Sequence, residues 1–352
     1  MSPSAEARTD LVRACLREPV SRTPVWFMRQ AGRALPEYRA ARGTGSILSA
    51  IGDAALSAEL TLQPVRRYGV DAAILFSDIV VPLHAIGFGV DIEPGRGPVV
   101  AEPFRSEGDL QRLRPFEPAT DAPYVAETVG LVRRELEGSG VALIGFAGAP
   151  FTVASYAVEG GPSRTFANVK SLMYRDPDLW QQLTGRLAAM AVASLRAQIE
   201  AGAQAVQLFD SWAGSLSPDE YARFALPSTR AVLAGIADLN VPSILFGVGT
   251  GELLALMGSA GSDVVGVDWR VPLDEARRRV GAGRALQGNL DPALCLAPWP
   301  VVADASRRIL TSAADGSGTG HVFNLGHGVL PESDPGILSA VVELVHAETA
   351  RA

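Results

Sequence analysis

Eight short apolar runs, each closed by a turn former and followed by a helical pattern, constrain this 352-residue chain more than any other feature. The runs are Val25–Met28, Ala72–Phe76, Leu143–Phe146, Val206–Phe209, Ser243–Phe246, Val264–Val267, Ala285–Gln287 and Val322–Asn324. Helical patterns fall at Ala54–Arg67, Tyr124–Glu137, Pro177–Ala201, Pro218–Ala237, Glu252–Ala260, Leu273–Val280 and Val301–Ala313, with a last one at Ile337–Ala350. Asp176-Pro177, Ser217-Pro218 and Asp334-Pro335 each set a capping side chain before a proline at the first helical position, which predicts helix starts there. Strands alternating with helices imply parallel βαβ units, and eight of them close most naturally into a (β/α)8 TIM barrel. A doubly wound open sheet is the alternative. The stretch from Val80 to Glu117, with Gly87, Gly89, Pro94, Gly95, Gly97 and Pro98, reads as an insertion after the second strand. No linker or repeat divides the chain, so residues 1–352 are expected to form a single α/β domain, with residues 1–10 a flexible N-terminus.

Composition narrows the function class. Lys plus Arg number 31 against 38 Asp plus Glu, a net charge of −7, which disfavours broad nucleic-acid binding. Cys15 and Cys295 are too few for a disulfide framework or a cysteine-rich zinc site. The polar start carries Glu6 and Asp10 and lacks the plan of a signal peptide, and no apolar run approaches the ~18 residues of a membrane span. The expectation is a soluble, cytoplasmic enzyme. Lys170 is the sole lysine, so Schiff-base chemistry has one possible position.

In a barrel, chemistry sits at the C-terminal ends of strands and in the loops that follow. Those positions hold Arg29, Asp78, Thr152, Tyr156, Asp210, Ser211, Gly249, Asp268, Asn289 and His327. No His/Cys/Asp cluster has metal-ligand spacing and no Gly-x-Ser-x-Gly elbow is present. Arg29 and Arg33, four apart around Gln30-Ala31-Gly32, can converge on one anion if the segment turns helically; equally, they can pair with acidic neighbours such as Glu37. Asp78 is either a catalytic or ligand-orienting carboxylate or the cap of the next turn. His327, set between glycines that allow close backbone approach, is either a ligand contact or a satisfied structural histidine. Tyr156 stands in a Gly/Pro-dense segment from Gly145, read as a loop, where its hydroxyl is a hydrogen-bond donor or its ring a packing group. Gly247-Val-Gly249-Thr-Gly251 lacks the lysine and spacing of a P-loop and reads as a turn. His84 and His321 have weaker claims, and His346 reads as a solvent-facing helix residue.

The run Pro24–Arg39, with its Met-Arg-Gln-Ala-Gly-Arg core and Leu-Pro-Glu-Tyr-Arg continuation, closely resembles the N-terminal signature of the uroporphyrinogen decarboxylase family. Gly145–Tyr156 is similar to that family's second signature, and Phe-Ser-Asp78, Leu-Phe-Asp-Ser211 and Gly-His327-Gly fall where the family places further site residues. The resemblance spans essentially the whole chain. It implies a single barrel, usually a homodimer, that converts uroporphyrinogen III to coproporphyrinogen III in haem biosynthesis with no metal or organic cofactor. It further implies that Arg29 and Arg33, with the amides of Gln30, Ala31 and Gly32, hold carboxylate arms. Tyr156, Ser211 and His327 would bind carboxylate oxygens, and Asp78 would face the pyrrole nitrogens and the cation that develops on the ring. Two alternatives stand beside it: a zinc- or corrinoid-dependent methyltransferase on the same barrel, and a non-catalytic tetrapyrrole carrier.

Overall fold

The computed structural model describes residues 8–93, 95–314 and 320–351. Its main sheet is parallel and runs in the order β1 (Ala72–Ile74), β4 (Ala142–Gly148), β5 (Ala205–Asp210), β6 (Ser243–Gly247), β7 (Val264–Gly266), β8 (Ala285–Gln287) and β9 (His321–Val322). The first expected strand, Val25–Met28, closes the ring yet makes only a one-residue bridge, Val25 to Phe323. Side chains take over its ladder. The Val25 amide donates to Asp71 Oδ2 at 2.7 Å, that of Phe27 to Gln30 Oε1 at 3.0 Å, and that of Met28 to Asn324 Oδ1 at 3.0 Å. Backbone bonds on either side, Phe323 N to Pro24 O at 2.9 Å and Asp71 N to Val25 O at 2.8 Å, complete an α/β barrel. Its interior is spanned by a buried polar chain: Trp26 Nε1 donates to Gln287 Oε1 at 3.0 Å, and Gln287 Nε2 to Gln207 Oε1 at 2.8 Å. Around this chain, Leu143, Ile144, Leu245, Val264, Val265 and Leu286 are fully buried, as their β-branched or leucine side chains on strands enclosed on both faces require.

All three proline-marked helix starts are observed. Asp176 accepts from the Leu179 amide, Ser217 from Glu220 and Asp334 from Gly336. The helix expected over Pro218–Ala237 is not uniform: a π-helical turn at Tyr221–Ala225 precedes Leu226–Ala234. Pro227 explains it, because it has no N–H to donate to Arg223 and its ring crowds that carbonyl, so the coil widens. The segment read as a loop after Gly145 is strand β4 followed by a helix, Pro150–Glu159, started by Pro150 at its first position; Tyr156 is therefore a helical residue. Within Val80–Glu117 stand a short helix, Val81–Ala85, an antiparallel hairpin of β2 (Val90–Glu93) and β3 (Gly97–Val100), and a 3-10 turn at Glu107–Arg112; Pro94 lies outside the described residues. Of the N-terminus expected to be flexible, residues 1–7 also lie outside them, whereas Thr9 caps a helix at Asp10–Cys15. His346 is not solvent-facing: its ring is bonded to Asp71 Oδ2 at 2.7 Å, on the carboxylate that also holds Val25 and Arg22.

Candidate active site

A cavity of about 300 Å³ opens at the C-terminal ends of the strands. Of the nine residues that the family resemblance singles out, six line it, Arg29, Ala31, Asp78, Tyr156, Ser211 and His327, as does the strand-end residue Thr152. The other three do not. Gln30 is fully buried as a strut, with Oε1 taking the Phe27 amide and Nε2 donating to Ala72 O at 2.9 Å; its own amide is bonded to Phe27 O. Gly32 and Arg33 fall outside the wall, and Arg33 is exposed. The reason is local. Residues 29–34 form turns rather than a helix, so the two arginines do not share a face. Their pairing with Glu37 is not observed either, since that carboxylate lies 3.9 Å from Arg67.

Arg29 adopts a left-handed backbone, φ 58°, which costs a non-glycine residue about 1–2 kcal/mol. The strained turn lays its side chain across Gly328, where a Cβ would come within 2.8 Å of Arg29 Cγ. Glycine at 328 is thus what gives the guanidinium its path. Asp78 follows β1, and its Oδ1 accepts the Val80 amide at 3.0 Å. Burial raises its pKa, and the amides of Val80 and Ile79 and the charge of Arg29 oppose that rise. The cap reading is observed, since one oxygen closes the turn, and the same side chain lines the cavity.

Burial pushes the Tyr156 phenol up to about 12, with Asp78 adding to the effect, so the hydroxyl is a donor at neutral pH. His327 goes the other way. Burial first, then the charges of Arg29 and Arg270, push it down to about 4 against the pull of Asp268. Its Nδ1 accepts the Gly328 amide at 2.6 Å, which leaves the proton on Nε2. The ring is thus a neutral N–H donor. A histidine held below its ordinary 6.5 adds stability that is fully present above that pH and is lost as pH falls from 6.5 towards 4. We expect the His327 ring protons, followed by NMR, to titrate with a midpoint near 4, and the ¹⁵N shifts to report the Nε2–H tautomer. A midpoint near 6.5 would mean that the ring is solvated and the arginine charges are remote.

Compared with known proteins, residues 6–348 match the family described as uroporphyrinogen decarboxylase (URO-D). The chain belongs to the uroporphyrinogen decarboxylase family. A uroporphyrinogen decarboxylase of Salinispora tropica is 59% identical over 99% of this chain and 93% of its own length. The one of Streptomyces coelicolor is 59% identical over 99% and 97%. Among solved structures, a methyltransferase from Methanosarcina mazei superposes with a TM-score of 0.79 at 21% identity, covering 97% of this chain and 99% of its own, a likeness of fold. A B12-independent methionine synthase from Shewanella gives a TM-score of 0.56 at 15% identity, covering 83% and 87%.

The cavity also has parts that the sequence did not single out. Phe146, Phe209 and Phe246, at the ends of three adjacent strands, form an edge-to-face floor with centroids 5.4 and 6.1 Å apart. The pairing of Phe209 with Phe246 in register is what sets them side by side. Trp212 lies 3.9 Å from the Tyr156 ring and fixes it. Beneath the wall, Asp210 is fully buried: Oδ1 accepts from Thr152 Oγ1 at 2.7 Å, and burial pushes the carboxyl up to about 6. The same Thr152 oxygen accepts the Trp212 amide at 3.2 Å, which ties this carboxyl to the Tyr156 contact. Of the remaining strand-end residues, Gly249 donates its amide to Asp268, as a turn and not a phosphate cradle, and Asn289 holds backbone carbonyls. The sole lysine, Lys170, is paired with Glu220 at 2.9 Å and does not line the cavity.

Proposed function

We propose that this chain decarboxylates the four acetate arms of uroporphyrinogen III to methyl groups, giving coproporphyrinogen III, with Asp78 as the catalytic anion and Arg29 as the main carboxylate receptor. The observation that carries the reading is the juxtaposition of Asp78 and Arg29 on one wall, close enough for the guanidinium to act on the carboxyl, beside two neutral donors, Tyr156 and His327. Protonation of the pyrrole carbon next to the one bearing the arm makes the ring an iminium-like cation. The C–CO₂⁻ bond then breaks, and its electron pair neutralises that cation as an exocyclic methylene. A proton added to the methylene and one lost from the ring carbon restore the pyrrole with a methyl group. The ring is its own electron sink. What the protein supplies is a fixed anion facing the charge that develops, and donors that hold the arms. Arg29 suits a planar carboxylate bidentately, Tyr156 and His327 add single hydrogen bonds, and Ser211 adds a hydroxyl on the wall. The apolar phenylalanine floor keeps dielectric low beneath the reacting ring.

The methyltransferase alternative needs zinc on cysteine and histidine. Cys15 and Cys295 are each 1% exposed, neither lines the cavity, and burial pushes both thiols up to about 12. Among the described residues no group of three His, Cys, Asp or Glu is placed to hold a metal ion. We expect activity to survive exhaustive chelation; loss with EDTA and recovery with zinc would overturn the cofactor-independent reading. The direct test is anaerobic incubation with uroporphyrinogen III, then oxidation and separation of products by carboxylate number. Stepwise passage from eight carboxylates to four is expected, and unchanged octacarboxylate would sink the assignment. The protein is read as a cytoplasmic homodimer on the strength of the family resemblance, and no helix among the described residues is long and apolar enough to cross a membrane. Analytical ultracentrifugation checks the dimer.

A further inference from the structure

Among the described residues the cavity wall carries one cationic side chain, Arg29, and one anionic one, Asp78, and its histidine is neutral. A ligand bearing many carboxylates therefore meets no net positive charge there, on a protein whose own net charge is −7. Attraction has to come from cations at the rim.

The loop after β7 presents one in a fixed position. Asp268 is 2% exposed, and its carboxylate takes the Gly249 amide, the Arg270 amide at 2.9 Å and the Arg270 guanidinium at 2.7 Å. The guanidinium also stacks 4.0 Å above the Trp269 ring. Asn289 clamps the loop through the carbonyls of Asp268 and Val271, both at 2.7 Å. The loop presses on the turn that bears His327: a Cβ at Gly326 would stand 2.9 Å from Trp269 Cβ. Arg270 is thus held on a loop packed against the turn that bears His327, and its charge, with that of Arg29, opposes protonation of that ring. Half of the Arg270 side chain, 51%, stays exposed although it is paired.

We propose that Arg270 is a further substrate-binding residue: a rim guanidinium, fixed by Asp268 and Trp269, that receives a carboxylate arm of the porphyrinogen beside His327. The proposal rests on the decarboxylase reading above. Its rival is a purely structural arginine that neutralises the buried Asp268. Only the first role brings a ligand charge to Arg270, whose remaining N–H donors form the fork that a lysine lacks.

Steady-state kinetics of wild type, Arg270→Gln and Arg270→Lys on uroporphyrinogen III, over a range of ionic strengths and beside thermal unfolding curves, separate the two. Arg270→Gln is expected to raise KM by roughly tenfold to a hundredfold with kcat nearly unchanged, and to flatten the salt dependence of kcat/KM. Arg270→Lys keeps a cation for Asp268, so it should unfold at the wild-type temperature while recovering KM only in part; it also decides the matter if the glutamine variant does not fold. Wild-type KM in the lysine variant, with the glutamine variant altered only in unfolding temperature or failing to fold, would overturn the proposal and leave a structural ion pair. Absence of turnover by wild type would sink the decarboxylase reading and this proposal together, whereas turnover with KM insensitive to both substitutions removes the Arg270 role alone.

Discussion

Asp78→Asn is expected to lower kcat by roughly a hundredfold to a thousandfold while substrate affinity changes far less. The asparagine keeps the oxygen that accepts the Val80 amide, so the turn after β1 has no reason to unfold. What it removes is the charge. A unit pair ~4 Å apart at an effective dielectric of about 20 interacts by roughly 4 kcal/mol, and each ~1.4 kcal/mol is tenfold in rate. The cation exists only on the way to the transition state, so the loss falls on kcat rather than on binding. Arg29, freed of a neighbouring anion, keeps its hold on the carboxylate arm. Anaerobic steady-state kinetics of the variant decide the point: a raised KM with an intact kcat would make Asp78 a ground-state ligand and send the cation-stabilising role elsewhere.

Arg29→Lys is expected to cost about 10- to 150-fold in kcat/KM, the range of a lost charge-assisted contact of about 1.5–3 kcal/mol. Lysine keeps the charge but not the planar fork. Arg29 makes no ion pair among the described residues, so little stability rides on its head group, and unfolding temperature should hardly move. Arg33→Lys, at an exposed position outside the cavity wall, should cost less. That ordering separates the geometry from the bare motif, in which the two arginines look alike. Wild-type kinetics in the Arg29 variant would make this arginine a structural residue.

Much of the fold was legible in the sequence because the signals were local. A β-branched run of a few residues, or a capping side chain before a proline, carries its own structural instruction. So did the chemistry-bearing residues at strand ends, since a barrel places every such end on one face. The same local reading failed where a long-range partner decided. Val25–Met28 looked like an ordinary strand, yet three of its four amides are taken by the side chains of Asp71, Gln30 and Asn324, the last 296 positions from Met28. Gln30 sits inside the most telling motif of the chain and spends every polar group of its side chain on the barrel itself.

Sequence by itself determined the alternation of elements, the helix starts and which residue types could meet an anionic substrate. Tertiary structure alone decided which of them reach the cavity: Arg29 over Gly328 but not Arg33, Tyr156 on a helix against Trp212, and three phenylalanines in one floor. The physical reason is that side-chain type and periodicity are properties of a short segment, whereas direction, burial and the partner that uses up a polar atom depend on the register of strands far apart in the chain.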